Sequence, residues 1–598
     1  MAGYPEYNSL QLPGLAEQVL AHWQERRVFE RSLEERSGRP PFIFYEGPPS
    51  ANGLPGIHHV MARTIKDIFC RYKTQKGFLV ERKGGWDTHG LPIEISVEKT
   101  LGITKEDIGD KISIEDYNRA CRKEVMKYKS VWDDLTRKMG YWVDLDHPYI
   151  TFDNSYIETC WYLLQSLYKK GLLYKGYTIQ PFSPAAGTGL SSHELNQPGT
   201  YKLVKDTSVV AQFMVLRDEK SEKLFAAVGN MSVFLLAWTT TPWTLPSNSG
   251  LAVGESIRYV LVRTFNPYTF EPVSVVLAKD LMGKYFTEKQ AALSLEEYQP
   301  GNKTIPFKVL AEFGGGELSG IRYEQLLPYV KPEGDAFRVV VGDFVSTEDG
   351  TGIVHLAPTF GADDFRVCKQ HEIPAILVKD ENGKPAPLVD RTGRFVAEVT
   401  DFALEHVKED YLSETMKEEE RMRQGRDKYL NVDERIAIKL KQENKAFKVE
   451  KYEHTYPHCW RTDKPVLYYP LDSWFIRTTA SKDRLIELNK TINWKPESTG
   501  TGRFGNWLEN LVDWNLSRSR YWGIPLPIWR SEDGEEKCIG SSEELYHEIC
   551  KAVDAGLMPQ EALQHLNPKS DSFDLHRPYV DHAVLVSSTG KPMLREPD

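Results

Sequence analysis

Apolar residues along the chain change their spacing twice. Over residues 12–29 they recur at Leu15, Val19 and Trp23, the four-residue step of an amphipathic helix. Residues 42–45 (FIFY) form a short apolar run closed by EGPP, the pattern of a buried strand that ends in a loop. After two adjacent histidines, Met61, Ile65, Ile68 and Tyr72 follow at steps of four, three and four, which predicts a helix facing a core. Residues 78–80 (FLV) read as the next strand and GGWDTHG (84–90) as the loop behind it. Strand, tight loop, helix and strand make a βαβ unit, which implies a parallel sheet with ligands at the carboxyl ends of its strands. A further helix over about 155–170 carries Ile157, Trp161, Leu164 and Tyr168 on one face.

From about 199 to 400 the period shortens. Runs such as TSVVAQFMVL, YVLVRTF, VSVVLA, FRVVVGDFV and TGIVHLA alternate with glycines and charged turns, which predicts a β-rich domain inserted into the first. Residues 404–450 are charged and helix-prone, and 512–529 return to aromatic loop-and-strand character. The predicted organisation is residues 1–198 as an N-terminal helix and the first half of an α/β domain, 199–448 as the insert with its helical extension, and 449–598 as the return.

Composition narrows the class. A length of 598 residues exceeds one ordinary core, since domains run to roughly 150 residues each. With 40% apolar and 27% charged residues the chain reads as globular, and no apolar run reaches the roughly 18 residues of a membrane span. The N-terminus lacks a signal-peptide pattern and the seven cysteines are scattered, so a cytoplasmic protein without membrane contact is expected. A net charge of −10 excludes a broad nonspecific nucleic-acid binder but leaves room for local basic grooves. The last residues, SSTGKPMLREPD, have no helix-stop or tail character, and a piece of a longer protein is expected.

The candidate chemistry begins at GPPSANGLPGIHHV (47–60). A glycine-rich turn leading into a helix offers backbone N–H groups and a partial positive charge to a phosphate. Imidazoles there can donate to phosphate oxygens as charge moves during displacement, so His58 and His59 suit nucleotide activation. The residues alone equally allow a chance pair on a surface helix. A Walker loop is excluded, because GxxxxGK[ST] is absent.

These residues resemble the isoleucine-specific branch of the class I aminoacyl-tRNA synthetases. GPPSANG with the histidines is similar to the first signature of that class, and GGWDTHGLPIE (84–94) to the isoleucine branch. WTTTPWTLPSN (238–248) and GTGIVHLAPTFGADDF (350–365) resemble the two signatures of the inserted editing domain. YPHCWR (456–461) and NLSRSRYWGIPLPIW (515–529) resemble the return into the catalytic half, so the matches span nearly the whole chain in the family's order. The resemblance implies an α/β fold, a Rossmann-like parallel-sheet catalytic domain interrupted by a β-rich editing insertion. It implies attachment of L-isoleucine to tRNA(Ile) through an isoleucyl-adenylate, with ATP and Mg2+ as substrate, by a monomer. By carry-over, Gly47, Pro48 and Gly56 border the substrates, Asp87 pairs with the substrate ammonium, His58 and His59 face the phosphates, and Trp522 walls the side-chain pocket. On the residues alone, Asp87 also suits a turn after a strand, the lesser alternative, and Trp522 is equally a core aromatic.

Two departures stand out. The usual His-Ile-Gly-His becomes Gly56-Ile57-His58-His59, and His58 is expected to take over the phosphate role of the lost histidine, with weaker binding of isoleucyl-adenylate mimics as a corollary. Relatives carry cysteine pairs for zinc where this chain has Ser183 and Ala186, and where it has Cys459 and Thr462; one thiolate cannot build a tetrahedral site, so no zinc is expected there.

An editing domain follows from selectivity. One buried methylene is worth only about 1–3 kcal/mol, a limit for which isoleucine against valine is itself the standard worked case. The resemblance assigns Thr239, Thr240 and Thr241 to the terminal adenosine or the attacking water, Asp364 to the ammonium of misattached valine, and His355 to the side-chain pocket. Threonines are common in any strand, a lone histidine is often a core residue, and Asp363 and Asp364 also suit a solvated turn. Rival readings are a valine or leucine synthetase, another nucleotidylyltransferase, or a tRNA-binding and deacylating module only, since a Lys-Met-Ser-Lys-Ser loop appears nowhere in the sequence.

Overall fold

Residues 83–86 form a strand that ends just before Asp87, and residues 233–239 form one that ends at Thr239. The computed structural model describes residues 9, 11–47, 49–381 and 383–597. The chain divides into one unit of residues 1–174, 476–513 and 519–598 and another of residues 175–475 and 514–518.

The first unit begins with α1 (Leu12–Glu25) and α2 (Val28–Glu34), which replace the single helix read over 12–29. Arg27 between them sits at φ 48°, a left-handed conformation that stops the first helix. Next come α3 (Ile57–Gln75), β1 (Lys83–Trp86), α4 (Leu91–Leu101), α5 (Ile114–Val125), α6 (Lys129–Lys138), β2 (Asp144–Ile150) and α7 (Asn154–Lys169). β1 and β2 pair in parallel, Gly85 opposite Tyr149 and Trp86 opposite Ile150.

Three expectations need correction here. Residues 83–86 form a strand where GGW was read as loop, because the glycines are there for close approach. A Cβ on Gly85 would fall 2.2 Å from Cζ of Tyr149, and one on Gly84 2.8 Å from the carbonyl oxygen of Asp144. The FIFY run forms no strand: Phe42 N donates to the Leu79 carbonyl (2.8 Å) beside a parallel bridge from Pro41 to Leu79, and Ile43 and Tyr45 are exposed. On α3 the predicted stripe of Met61, Ile65, Ile68 and Tyr72 is more than half exposed at every position. The buried residues are instead on the opposite side: Arg63, Cys70 and Thr74. Polar contacts hold that side, from Arg63 to Thr136 Oγ1 (2.7 Å), from Arg82 to Asp67 (3.1 Å), and from Arg71 to the Gly140 carbonyl. Periodicity announces an amphipathic helix; which side meets protein depends on partners, and here the apolar side stays mostly exposed.

The core of the first unit behaves as the pattern requires. Ile157 and Trp161 of α7 are fully buried against Trp529, Leu545, Ile549 and Met593. Ile93 and Val97 of α4 pack with Tyr117, Cys121 and Val125 of α5 around Trp522. Each such fully buried side chain contributes roughly 1.5–3 kcal/mol.

The second unit holds β3 (Tyr201–Met214), β4 (Val233–Thr239), β5 (Gly250–Val253), β6 (Arg258–Phe265), β7 (Pro272–Ala278), β8 (Lys308–Gly314), β9 (Arg338–Val341), β10 (Ile353–Leu356), α8 (Ala362–Gln370), α9 (Glu414–Gln424), α10 (Val432–Gln442) and β11 (Ala446–Pro457). Its larger sheet has the order β8–β6–β7–β4–β3–β11, and a smaller one the order β9–β5–β10. One face of the large sheet buries Val209, Ala211, Leu235 and Ala237, the other Val210, Phe234, Leu236 and Val260. Covered on both faces, its strands read as continuous apolar runs rather than alternating ones. The unit's limits at 175 and 475 enclose the 199–448 read from texture. α10 starts with a reciprocal cap, Asn431 Oδ1 accepting from Glu434 N (3.0 Å) and Glu434 accepting from Asn431 N (3.2 Å). Among the described residues no helix is long and apolar enough to cross a membrane.

Candidate functional site

In the first unit the histidine loop is pinned by α6. Tyr128 N donates to the Ala51 carbonyl (2.9 Å) and Trp132 Nε1 to the Gly53 carbonyl (2.8 Å). Gly56 enters α3 with an extended backbone (φ −108°, ψ 172°), and its N–H donates to Nδ1 of His59 (2.9 Å). With its Nδ1 lone pair engaged, neutral His59 carries its proton on Nε2, which is then the donor it can offer. Burial, then the proximity of His58 and Arg63, lowers the His59 pKa. Its ring meets Trp132 edge-on at 4.7 Å and His58 at 3.8 Å. His58 is exposed and folds back over the bare Cα of Gly56: a Cβ there would lie 2.9 Å from its Cε1. The exchanged positions 56 and 58 are therefore mutually fitted, the imidazole at 58 using space that only glycine at 56 leaves.

Asp87 follows the carboxyl end of β1, and its N–H donates to the Pro49 carbonyl (3.0 Å), which brings it to the histidine loop. Its side chain reaches solvent, yet enough protein surrounds it that desolvation raises its pKa, opposed by the His89 N–H. Gly47 is exposed, with open space where a Cβ would point, so its backbone is free to meet a ligand. Pro48 lies outside the described residues. Trp522 is fully buried, and its Nε1 donates to the Thr88 carbonyl (2.6 Å), so it backs the Asp87 loop from inside the core.

Sequence reasoning missed two supports of this site. Glu46 is 5% exposed and is held by Lys66 Nζ (2.7 Å) and the Tyr141 hydroxyl, while its carbonyl accepts from the Tyr149 hydroxyl (2.7 Å). His576 meets His89, Nε2 to Nε2, at 2.9 Å. No local pattern signals the second pair, because its members are 487 residues apart.

The second unit assembles the other set. Thr239 ends β4, and its Oγ1 accepts from Thr241 N (3.0 Å) and lies 3.2 Å from Thr241 Oγ1, with half-buried Thr240 between them. Thr244 donates its hydroxyl to the Thr241 carbonyl (2.8 Å), so its oxygen accepts from Nε2–H of His355 on β10 (3.1 Å). That fixes the tautomer and leaves Nδ1 of His355 a buried acceptor without a partner among the described residues. Burial lowers the His355 pKa to about 4, so the ring is neutral. Asp364, in the first turn of α8, accepts from Ala357 N (2.8 Å); burial raises its pKa to about 7. Gly361 gives its carboxylate room, since a Cβ would stand 2.6 Å from Cγ. Asp433 of α10 was also missed. Its carboxylate accepts from Trp243 N (2.8 Å) and so holds the turn behind the threonines.

At the positions discussed for zinc, Ser183 Oγ caps a short turn by accepting from Ala186 N (3.3 Å). Fully buried Cys459 packs with Leu190, Leu195, Val466 and Ala186, and the Thr462 hydroxyl, nearby in sequence, is buried without a partner among the described residues. Among the described residues, no three His, Cys, Asp or Glu side chains converge to hold a metal.

The chain is 69% identical to an isoleucine–tRNA ligase of Cytophaga hutchinsonii over 98% of its own length and 52% of that protein's, and 58% identical to one of Bacteroides fragilis over 100% and 53%. It thus spans about half the length of the curated relatives it matches. A solved LeuRS–tRNA–LeuAMS ternary complex from Agrobacterium radiobacter K84 aligns with 98% of this chain and 57% of its own, at 15% identity and TM-score 0.34. The family model for tRNA synthetases class I (I, L, M and V) matches residues 18–581, and the chain belongs to that family.

Proposed function

We propose that the full-length protein joins L-isoleucine to tRNA(Ile) in the first unit and hydrolyses misacylated valyl-tRNA(Ile) in the second. The observation that carries the first half is the bond from Asp87 N to the Pro49 carbonyl, which sets a carboxylate beside a loop of exposed donors at the ends of β1 and α3. Asp87 binds the substrate ammonium; the raised pKa it has alone falls once a cation pairs with it. The isoleucine carboxylate attacks the α-phosphorus of ATP, a C–O–P bond forms, the bond to the bridging oxygen breaks, and pyrophosphate leaves with Mg2+. His59 Nε2–H and the His58 imidazole donate to phosphate oxygens as charge builds, and the N-terminus of α3 adds its partial positive charge. A ribose hydroxyl at the tRNA terminus then attacks the acyl carbon and AMP leaves. Gly47, Pro48 and Gly56 border the substrates, and Trp522 supports the isoleucine pocket through Thr88.

In the second unit, Thr239, Thr240 and Thr241 hold the terminal adenosine or the attacking water. Asp364 pairs with the ammonium of valine, and His355 bounds the side-chain pocket. Isoleucine-dependent ATP–pyrophosphate exchange by the full-length protein, compared with valine, tests the first half; preference for valine overturns it.

A further inference from the structure

The loop that carries Asp87 is held from behind by a set of buried and half-buried groups. Asp574 accepts from Nδ1 of His576 (2.6 Å) and from Nη2 of Arg122 (2.7 Å). With its Nδ1 proton committed to that carboxylate, His576 presents Nε2 as an acceptor. It therefore takes the Nε2–H of His89 at 2.9 Å, and burial, with His576 and Arg122 close by, holds the His89 pKa well below its ordinary value and keeps that ring neutral. Trp522 stacks on His576 at 4.7 Å with planes 10° apart, while its own Nε1 grips Thr88. The segment that brings His576 is itself fastened: Asn154 Nδ2 donates to the Phe573 carbonyl (2.7 Å), and Asn154 Oδ1 accepts from Leu575 N (3.0 Å). Gly90, at φ 104°, then lets the chain turn at once into α4, a conformation that side chains rarely adopt.

Asp87, Thr88 and His89 are thus consecutive residues, each anchored: Pro49 at the first, Thr151 and Trp522 at the second, and His576, stacked on that same Trp522, at the third. His89 lies two residues, at most about 7 Å of chain, from Asp87. Freeing the histidine end lets the loop rotate about the remaining anchors and swings the carboxylate. We infer that His576 is a positioning residue for the amino-acid site, holding His89 so that Asp87 faces the substrate ammonium. The assignment rests on the adenylation reading above. It concerns one substrate only, because the phosphate donors on α3 are anchored by α6 and not by this set.

The test is steady-state ATP–pyrophosphate exchange by the full-length protein, with thermal unfolding recorded alongside. His576→Leu removes the acceptor and is expected to raise the isoleucine KM about tenfold, with the ATP KM within about twofold. His576→Gln, whose amide oxygen can reach the place of Nε2, is expected to restore most of the loss. If His576→Leu does not fold, Asp574→Asn, which keeps the shape but releases the His576 tautomer, must show the same one-sided rise at smaller size. An unmoved isoleucine KM, or both KM values rising together with lost stability, overturns the assignment while wild-type exchange leaves the adenylation reading standing. A wild type without isoleucine-dependent exchange overturns both.

Discussion

Gly56→Ala isolates the fit between the glycine and the histidine two residues on. Gly56 has an ordinary extended backbone, so alanine meets no conformational objection there. Its objection is local: the new Cβ stands 2.9 Å from Cε1 and 3.0 Å from Nδ1 of His58, where ordinary contact begins at 3.4 Å. The imidazole must give way by about half an ångström or more, and because it is exposed it does so by changing rotamer, at roughly 0.5–1.5 kcal/mol. Alanine is also a poorer residue than glycine at a helix N-cap, so stability falls by an amount on the order of 1 kcal/mol. The larger effect is on rate. Displacing a group by about 1 Å, or losing one donor to a charge that grows in the transition state, costs about 10²-fold. In single-turnover formation of isoleucyl-adenylate by the full-length protein, Gly56→Ala should therefore slow the step about 10²-fold. His58→Ala should do the same, and the double variant should be no slower than His58→Ala, because one imidazole cannot be lost twice. A Gly56→Ala rate within about twofold of wild type, or effects that multiply, would falsify the role given to His58.

The other predictions concern both units. Asp364→Asn should slow hydrolysis of valyl-tRNA about 10²-fold, and the wild-type editing kcat/KM should rise between pH 6 and 8 as a carboxyl with a pKa of about 7 ionises, a rise absent from the variant. Asp433 has a pKa raised to about 7 by burial; its folded form holds the proton more tightly than the unfolded chain. Its contribution to stability is complete below the ordinary carboxylate range and lost as pH climbs through about 7, so the urea midpoint should fall from pH 5 to 8, and less so in Asp433→Asn. Trp522→Phe removes the donor to the Thr88 carbonyl and should cost about 1–3 kcal/mol in urea unfolding; an unchanged midpoint counts against the buried bond. Gly85→Ala drives a methyl to 2.2 Å from the Tyr149 ring and should destabilise by about 1–3 kcal/mol or more, with the double variant Gly85→Ala/Tyr149→Ala no worse than Tyr149→Ala.

What the sequence discloses and what it hides divide along physical lines. Spacing within a few residues is local, and it located α3, α7 and the strands of the second unit, whose doubly buried faces produce continuous apolar runs. It misled where the reason for a residue lies across the fold. Gly84 and Gly85 look like loop residues until Tyr149 is seen lying against them. The stripe on α3 marks an apolar side, but Arg63, Asp67 and Arg71 decide that the polar side is the one held by the unit. The neighbourhood of each resemblance-derived site residue was legible as a motif, while its support was not: His576, Asp574 and Asp433 arrive from segments that no local pattern links to Asp87 or Thr241. The motif WTTTPWTLP contained Thr244, yet only the geometry distinguishes the hydroxyl that fixes the His355 tautomer from the three before it.

The central claim is that Asp87 and the histidine loop hold one aminoacyl-adenylate between them. Calorimetric titration of a non-hydrolysable isoleucyl-adenylate analogue, and of its counterpart lacking the amino group, into full-length wild type and Asp87→Asn measures this directly. The account predicts that the variant loses about 10–100-fold in affinity for the first compound, the worth of a hydrogen bond between charged partners, and binds the second as the wild type does. Equal affinity of both proteins for the amino compound contradicts it.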